Sequence, residues 1–254
     1  MASIDLNSDL GEGFGPYQLG DDEGMLSVVT SASVACGFHA GDPEIMHRTF
    51  RMAKKCGVVI GAHPGFPDIA GFGRRRIPYS AGEIERMVAY QVGAAEALAA
   101  YSGHVVRYVK PHGALANIAE TERNVADAIA RSVKAVDPSL AFLGIALSQQ
   151  IFSAERAGLN AISEVFADRG YDSHGHLLPR GQPGALIESP KEAAQRALAM
   201  LDAQAIIAVD GTQLSTSIGS ICVHSDTVQA AEIARAVRTY VEGAGIRVAA
   251  FVPP

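Results

Sequence analysis

The sequence predicts an α/β protein whose parallel strands close into a (β/α) barrel. Short apolar segments alternate with amphipathic helical segments about seven times along the 254 residues, and this alternation is typical of a parallel sheet. Polar side chains also follow nearly every apolar segment. A barrel brings all strand carboxyl ends to one mouth, whereas an open doubly wound sheet, the competing architecture, uses mainly the crevice at its switch point. We therefore predict one barrel domain over residues 1–254.

Seven short segments are predicted as the barrel strands, because they are almost continuously apolar, as strands buried on both faces are. They span residues 3–7, 33–36, 58–62, 105–109, 140–145, 161–166 and 220–224. Two weaker strand candidates span residues 206–210 and 246–252.

Helix start and stop signals separate these strands. Asp42 followed by Pro43 predicts an N-cap and a first helical residue, and Gly57 suits the end of that helix. Residues 80–83 form a capping box that starts a helix running to about residue 101. The other predicted helices begin at residue 189 or span residues 121–135, 148–157 and 226–242.

The composition excludes several classes of protein. A formal net charge of −6 with no stripe of basic residues argues against nucleic-acid binding. The longest apolar stretches, such as residues 140–147, are far too short to span a membrane, and the start lacks the apolar segment of a signal peptide. Cys36, Cys56 and Cys222 lie far apart without a CxxC motif, which indicates reduced thiols. We expect a cytoplasmic protein.

Five residues are the candidates for catalysis. Asp9 and Glu12 follow the first strand, and two carboxylates held close together acquire different pKa values, as acid and base roles require. Lys110 and His112 lie two residues apart at a strand end, so both can face the same mouth. Together with His63 they are suited to polarising a carbonyl group or moving a proton. The structural alternative for Asp9 and Glu12 is an acidic turn.

The candidates for substrate binding are polar residues at strand ends or near glycines. They are Asn7, His39, Asp42, Arg74, Glu164, Asp168, Arg169 and His224. An arginine on a glycine-rich loop, such as Arg74, can clamp a carboxylate or phosphate. Asp42 already has a sufficient role as an N-cap. The charged residues around 164–169 and 224–226 could equally form a ring of ion pairs that braces the barrel rim.

A metal site and a nucleotide site are both left open by the residues. His39, His63 and His112 with Asp9 would suit zinc or another divalent ion. No HExxH motif occurs, however, and acid–base histidines explain the same residues without a metal. The chain has neither a Rossmann fingerprint nor a Walker loop, so a nucleotide would have to be held in another way.

Seven segments together resemble the LamB/YcsF family over nearly the whole chain. They read DLNSDLGEGFG, ACGFHAGDP, GAHPGFPDIAGFGRRR, VKPHGALAN, EVFADRGY, LLPRGQPGALI and ICVHSDT. The chain departs from the usual family residues at Ser33, where asparagine is common, at Ala116, where tyrosine is, and at Ser225, where glycine is. We expect these three positions to line the pocket and to affect substrate detail.

The resemblance implies a (β/α)7-type barrel, seven-stranded and related to glycoside hydrolase/deacetylase-like folds. It also implies the ATP-dependent opening of 5-oxoproline (pyroglutamate) to L-glutamate, with ATP as a co-substrate together with Mg²⁺ and with separate B and C subunits as partners. Two alternatives remain: a metal-dependent deacetylase acting on an N-acetylated sugar, and a subunit that binds the substrate without catalysing its reaction.

Overall fold

The computed structural model describes residues 3–227 and 229–253. Its strands are β1 (Ser3–Leu10), β2 (Ser31–Ala35), β3 (Val59–His63), β4 (Val106–Val109), β5 (Ala141–Ile145), β6 (Asn160–Phe166), β7 (Ala205–Ile207), β8 (Gln213–Ser215), β9 (Ser220–Cys222) and β10 (Arg247–Val248). Its α-helices are α1 (Asp22–Leu26), α2 (Pro43–Cys56), α3 (Ala81–Tyr101), α4 (Gly113–Thr121), α5 (Arg123–Val136), α6 (Gln149–Ala157), α7 (Pro190–Ala203) and α8 (Ala230–Gly243).

Within these described residues, seven parallel strands form a closed barrel in the order β1, β2, β3, β4, β5, β6, β9. Closure comes from β9, which pairs with β6 on one side and with β1 on the other. The predicted seven-stranded barrel is therefore confirmed, and the open doubly wound sheet is wrong.

Both weaker strand candidates lie outside the barrel. The segment around residues 206–210 forms β7, which pairs antiparallel with β8 in a separate two-stranded sheet. From the segment 246–252 only β10 forms, and it pairs in parallel with the first residues of β1. A short apolar run predicts burial but not its pairing partner, so the sequence could not distinguish these strands from barrel strands.

Helix termini follow the predicted capping where a side chain supplies the cap. The Asp42 side chain accepts hydrogen bonds from the backbone N–H groups of Glu44 and Ile45, and Gly57 ends α2 at a φ of 68°. The capping box at Ser80 is present. In contrast, the helix predicted over 121–135 is preceded by α4, which was not predicted, and the helix predicted from 226 begins at Ala230.

The interior of the barrel is unusually polar below the mouth. Asp5 is buried and accepts hydrogen bonds from the hydroxyls of Thr30, Ser31 and Ser220. Tyr108 is also fully buried, and a Cβ at Gly61 would overlap its ring, so glycine is required there. The apolar faces of the helices pack on the outside of the barrel around a continuous core.

Two expectations from the composition can be compared with the structure: reduced thiols, and apolar stretches too short to span a membrane. Cys36 and Cys222 are buried and Cys56 is exposed, and all three thiols are free in the described part of the chain. Among the described residues, none of the helices combines the length and the apolar character needed to cross a lipid bilayer.

Candidate active site

A cavity of about 440 Å³ opens at the carboxyl ends of the barrel strands. It is the end at which barrel folds carry their active sites. All five candidate catalytic residues line this cavity together with four of the candidate binding residues: Asp9, Glu12, His63, Lys110, His112, Arg74, Glu164, Arg169 and His224. The cavity is within the range of small-molecule sites.

Lys110 is the central cation of the cavity floor. Its Nζ lies 3.0 Å from Asp9 Oδ1 and 3.0 Å from Glu164 Oε2, and it donates to Asn7 Oδ1 at 3.1 Å. The ammonium is 3.2 Å from Cys222 Sγ. The backbone of the segment is held on β3 and on the residue that follows it, because the N–H groups of Lys110 and His112 donate to the carbonyls of Ala62 and Pro64. Pro111, which has no N–H, stands between them, so both side chains face the mouth.

The charges of this cluster are set by burial and by one another. Burial alone would raise the pKa of Asp9, but His63 and Lys110 hold it well below its usual range. Burial alone would lower the pKa of Lys110, but Asp9 and Glu164 raise it well above its usual range. Burial raises the pKa of Glu164, and the charge of Asp9 adds to this effect. The cluster therefore holds an ionised Asp9 against an ammonium, with Glu164 as the more easily protonated acid.

Three histidines and Glu12 form a second cluster beside the first. The His63 Nε2 atom lies 3.0 Å from His112 Nδ1 and 3.4 Å from Asp9 Oδ2. The His39 ring stacks on His112 with 3.6 Å between centroids, and its Nε2 is 3.4 Å from Glu12 Oε1. Burial and neighbouring histidines lower the pKa values of His39 and His112 well below the usual range.

Glycines make room for this histidine cluster. A Cβ at Gly65 would lie 2.6 Å from His39 Nδ1, and one at Gly73 would lie 2.6 Å from His39 Cβ. Phe72 adopts a left-handed φ of 54°, and its carbonyl accepts a hydrogen bond from His112 Nε2 at 2.8 Å. A non-glycine residue in that region is uncommon and typically marks a functional or strained position. The glycines at positions 65 and 73 thus leave the space that the His39 and His112 side chains occupy.

Arginines surround the rim of the cavity. Arg74 donates to Asp226 Oδ2 at 2.5 Å, and Arg180 Nη2 lies 3.7 Å from Asp226 Oδ1. Arg169 uses its Nε and Nη2 groups to hold the carbonyls of Ala185 and Leu178. Arg169 therefore braces the loop over the mouth, while Arg74 and Arg180 share a single carboxylate.

Four candidate binding residues do not line the cavity. Asn7 is buried and accepts a hydrogen bond from Lys110 Nζ, and His39 is buried and stacks on His112. Asp168 is buried and holds His224, whose Nδ1 is 3.0 Å from its carboxylate. Asp42 caps α2 and also accepts from Gly15 N at 2.8 Å.

The sequence that forms this site also matches a known protein family over almost the whole chain. The model of the LamB/YcsF family matches residues 4–253. The chain belongs to the LamB/YcsF family.

Relatives of this LamB/YcsF protein match it from end to end. The A subunit of 5-oxoprolinase from Azorhizobium caulinodans is 59% identical over 253 residues, which is 100% of both chains. The protein of the same description from Gluconobacter oxydans is 53% identical over 98% of each chain.

Solved structures support the same placement. The "Lactam Utilization Protein" of Thermus thermophilus is 42% identical, with a TM-score of 0.92 and coverage of 98% of this chain and 99% of that one. A putative cellobiose-phosphate cleavage protein of Enterococcus faecalis, 14% identical with a TM-score of 0.56 over 98% of this chain and 97% of its own, shares the fold alone.

The three departures from the usual family residues lie in different places. Ala116 lines the cavity, as expected. Ser33 does not, since its hydroxyl bonds the hydroxyl of Tyr108 inside the barrel at 3.1 Å. Ser225 is buried against Gly20 rather than in the cavity lining. The expectation that all three line the pocket is therefore wrong for Ser33 and Ser225.

Several cavity residues were not among the site candidates from the sequence. Asn117 and Glu120 lie on α4, where they share a face with Ala116. The available signal was spacing: Ala116 and Asn117 follow Gly113 by three and four residues, and Glu120 follows Ala116 by four. Gln150 was also missed; its side chain donates to Ala116 O at 2.8 Å, which ties α6 to α4 beneath the cavity wall.

Proposed function

We propose that this chain is the A subunit of an ATP-dependent 5-oxoprolinase, which opens the lactam of 5-oxoproline to give L-glutamate. The observation that carries the proposal is end-to-end identity of 59% with a relative described as the A subunit of 5-oxoprolinase. The neighbour described as a lactam utilization protein supports the same substrate class. The buried cluster of Lys110, two carboxylates and histidines supports hydrolysis of an amide.

The need for ATP follows from the chemistry of the substrate. A five-membered lactam is an unstrained and weakly electrophilic amide. Transfer of the γ-phosphoryl group of ATP, with Mg²⁺, to the lactam oxygen makes the ring carbon electrophilic. One water then opens the C–N bond, whose nitrogen takes up a proton, and a second water releases phosphate. We assign the phosphoryl transfer to the B and C subunits.

Roles in the hydrolytic step follow from the charges at the cavity floor. The Lys110 ammonium is placed to stabilise the negative charge that develops on the oxygen of the attacking water as it adds to the ring carbon, in the manner of an oxyanion hole. Asp9, with its depressed pKa, is a weak base, and it orients Lys110 and His63 instead. Glu12 and the His63–His112 pair form the proton-handling side. Burial, then Asp9 and Asp226, raises the pKa of Glu12 well above its usual range.

The substrate carboxylate is assigned to the rim of the cavity. Arg74 and Arg180 share Asp226, so an incoming carboxylate can compete for either guanidinium. Arg169 is less suited, because two of its donors already hold backbone carbonyls.

Reconstitution with the B and C subunits tests the function. We expect release of glutamate from 5-oxoproline that depends on ATP, and Asp9→Asn should reduce this turnover about 100-fold or more. His47→Gln, on the outer helix α2, is the matched control. Unchanged turnover with Asp9→Asn would indicate a subunit that only binds the substrate. Release of acetate from an N-acetylated sugar without ATP would replace the proposal with the deacetylase.

A further inference from the structure

Three side chains of the histidine cluster present acceptor atoms to one small volume at the cavity floor. The facing atoms are His63 Nε2, His112 Nδ1 and Glu12 Oε1, all within 4.8 Å of one another. The His63–His112 separation is 3.0 Å and the His112–Glu12 separation is 3.5 Å. All three side chains are buried within the described chain and line the cavity.

The tautomers of the two histidines follow from their outer hydrogen bonds. His63 Nδ1 lies 2.7 Å from the carbonyl oxygen of Lys110, and His112 Nε2 lies 2.8 Å from that of Phe72. A carbonyl oxygen only accepts, so each of these nitrogens carries the proton of its neutral ring. The facing nitrogens, His63 Nε2 and His112 Nδ1, are then both unprotonated, and their lone pairs face each other across 3.0 Å. Something positively charged must lie between them, either an extra proton or a cation.

Three further buried atoms lack a hydrogen-bond partner, and one of them, Glu12 Oε1, favours a cation over a proton. Glu12 Oε1 and both ring nitrogens of His39 are buried and have no hydrogen-bond partner within the described residues. A buried polar atom without a hydrogen-bond partner lowers the stability of the folded state. In native proteins such an atom therefore usually has a bound water or ion as its partner. A single proton between His63 and His112 would leave the Glu12 oxygen unpartnered.

We propose that His63, His112 and Glu12 bind a divalent transition-metal ion of the zinc class, with the open coordination position facing the cavity. Metal–ligand bonds of 2.0–2.1 Å in a tetrahedron separate neighbouring ligand atoms by about 3.3–3.4 Å. The observed separations of 3.0 and 3.5 Å lie close to this value.

The surroundings of the three ligands fit the same assignment. Each histidine donates its other ring N–H to a backbone carbonyl, which is the usual outer contact of a metal-bound imidazole. His39 stacks on His112, so its ring is not oriented as a fourth ligand, and its Nε2 lies 3.4 Å from Glu12 Oε1 without a hydrogen bond. Two imidazoles and one carboxylate favour zinc, cobalt or nickel over magnesium, which prefers oxygen ligands.

Such an ion would act on the proposed reaction as a Lewis acid at the cavity floor. The binding claim nevertheless stands apart from the oxoprolinase function, because it is tested without substrate, ATP or partner subunits. If the ion does not bind, the same residues remain the proton-handling side of the proposed site.

The experiment uses the full chain after removal of metal by a chelator. Titration with Co²⁺, followed by visible absorption, should give one equivalent bound in a tetrahedral or five-coordinate environment, and Zn²⁺ should displace it. Zn²⁺ should also raise the thermal midpoint, since it binds only the folded state. Glu12→Gln and His112→Phe should each weaken Co²⁺ binding by more than about 100-fold, beyond the loss usual for outer contacts. His47→Gln is the control.

Several outcomes would overturn the proposal. Absence of saturable Co²⁺ or Zn²⁺ binding by the wild-type chain is one, and it needs no variant to fold. Binding that Glu12→Gln and His112→Phe leave unchanged places the metal elsewhere. A metal-stripped chain whose ¹⁵N spectra at neutral pH show one of the two imidazoles doubly protonated, both with and without added Zn²⁺, assigns the contact to a shared proton.

Discussion

Lys110 neutralises two buried carboxylates, so its removal should affect stability as well as chemistry. In Lys110→Met the aliphatic part of the side chain is kept, but Asp9 and Glu164 lose the ammonium that lies 3.0 Å from each. Leaving buried charge without its partner costs about 3–5 kcal/mol. We expect a loss of that size in the free energy of unfolding at pH 8, measured by denaturant titration, together with loss of turnover in the assembled complex.

The pH dependence of this loss in the free energy of unfolding distinguishes the charge of Lys110 from its packing contribution. Below pH 5 the two carboxylates can take up protons once Lys110 is gone, so the deficit should shrink. Lys191→Met, an exposed lysine on α7, controls for loss of a positive charge. An equal deficit at pH 5 and pH 8 would mean that the ammonium contributes packing rather than charge.

Asp5 provides a prediction for acid stability. Burial raises its pKa to about 6, against 3.8 for the unfolded chain, although three hydroxyls donate to it. The folded state therefore binds the proton more tightly, and stability falls as the pH rises from about 4 to about 6. The shift corresponds to about 3 kcal/mol.

Asp5→Asn should remove this part of the pH dependence. The measured quantity is the difference in free energy of unfolding between wild type and variant. The free energy of unfolding of the wild type should fall relative to that of the variant by about 3 kcal/mol between pH 4 and pH 7. A difference that stays constant over this range would show that Asp5 is ionised in the folded protein without cost.

At the scale of elements, Asp42 is predicted to stabilise α2 rather than to bind substrate. Its carboxylate accepts from the N–H groups of Glu44 and Ile45, and it is not part of the cavity lining among the described residues. Asp42→Ala should lower the free energy of unfolding by about 1–2 kcal/mol. KM for 5-oxoproline should be unchanged in the assembled complex; a clear rise would return Asp42 to the binding site.

The elements that the sequence predicted well are those with a local chemical signal. The capped helices α2, α3, α6 and α7 begin where Asp42, Ser80, Ser148 and Ser189 accept backbone N–H groups. Helix α4 lacks such a signal, because His112 at its N-terminus makes no capping hydrogen bond. Gln229 likewise leaves α8 without a side-chain cap, at a φ of 62°. The starts of these two helices depend on tertiary packing, which a local pattern does not record.

At the scale of the whole molecule, the site candidates followed from strand order, but their contacts did not. Because parallel strands end at one mouth, residues from the ends of six strands could be expected to meet. The lone-pair contact between His63 and His112, however, depends on carbonyls at Lys110 and Phe72. Side-chain orientations of that kind arise only after the loops have folded. Arg169 shows the same limit, since its loop contacts decide its role.

The isolated chain should not turn over 5-oxoproline. It has no Walker loop that would cradle the phosphates of ATP, and we assign phosphoryl transfer to the B and C subunits. Incubation of the chain alone with 5-oxoproline, ATP and Mg²⁺ should release neither glutamate nor phosphate above background. Addition of both partner subunits should restore both products. Robust release of phosphate by the chain alone would reassign the phosphoryl transfer to this chain.

The seam that closes the barrel joins the two extremes of the chain. Ser8 donates to the carbonyl of Val223, 215 positions away, and Asn7 bonds Ser220 across the same seam. Contacts of such long range form slowly and late in folding. A chain still in synthesis would therefore carry its first strand with one edge unpaired, and open strand edges invite association with other chains. The yield of refolded protein should therefore fall steeply as the protein concentration rises. The ability of the refolded chain to support turnover in the assembled complex should return in the same kinetic phase as barrel closure.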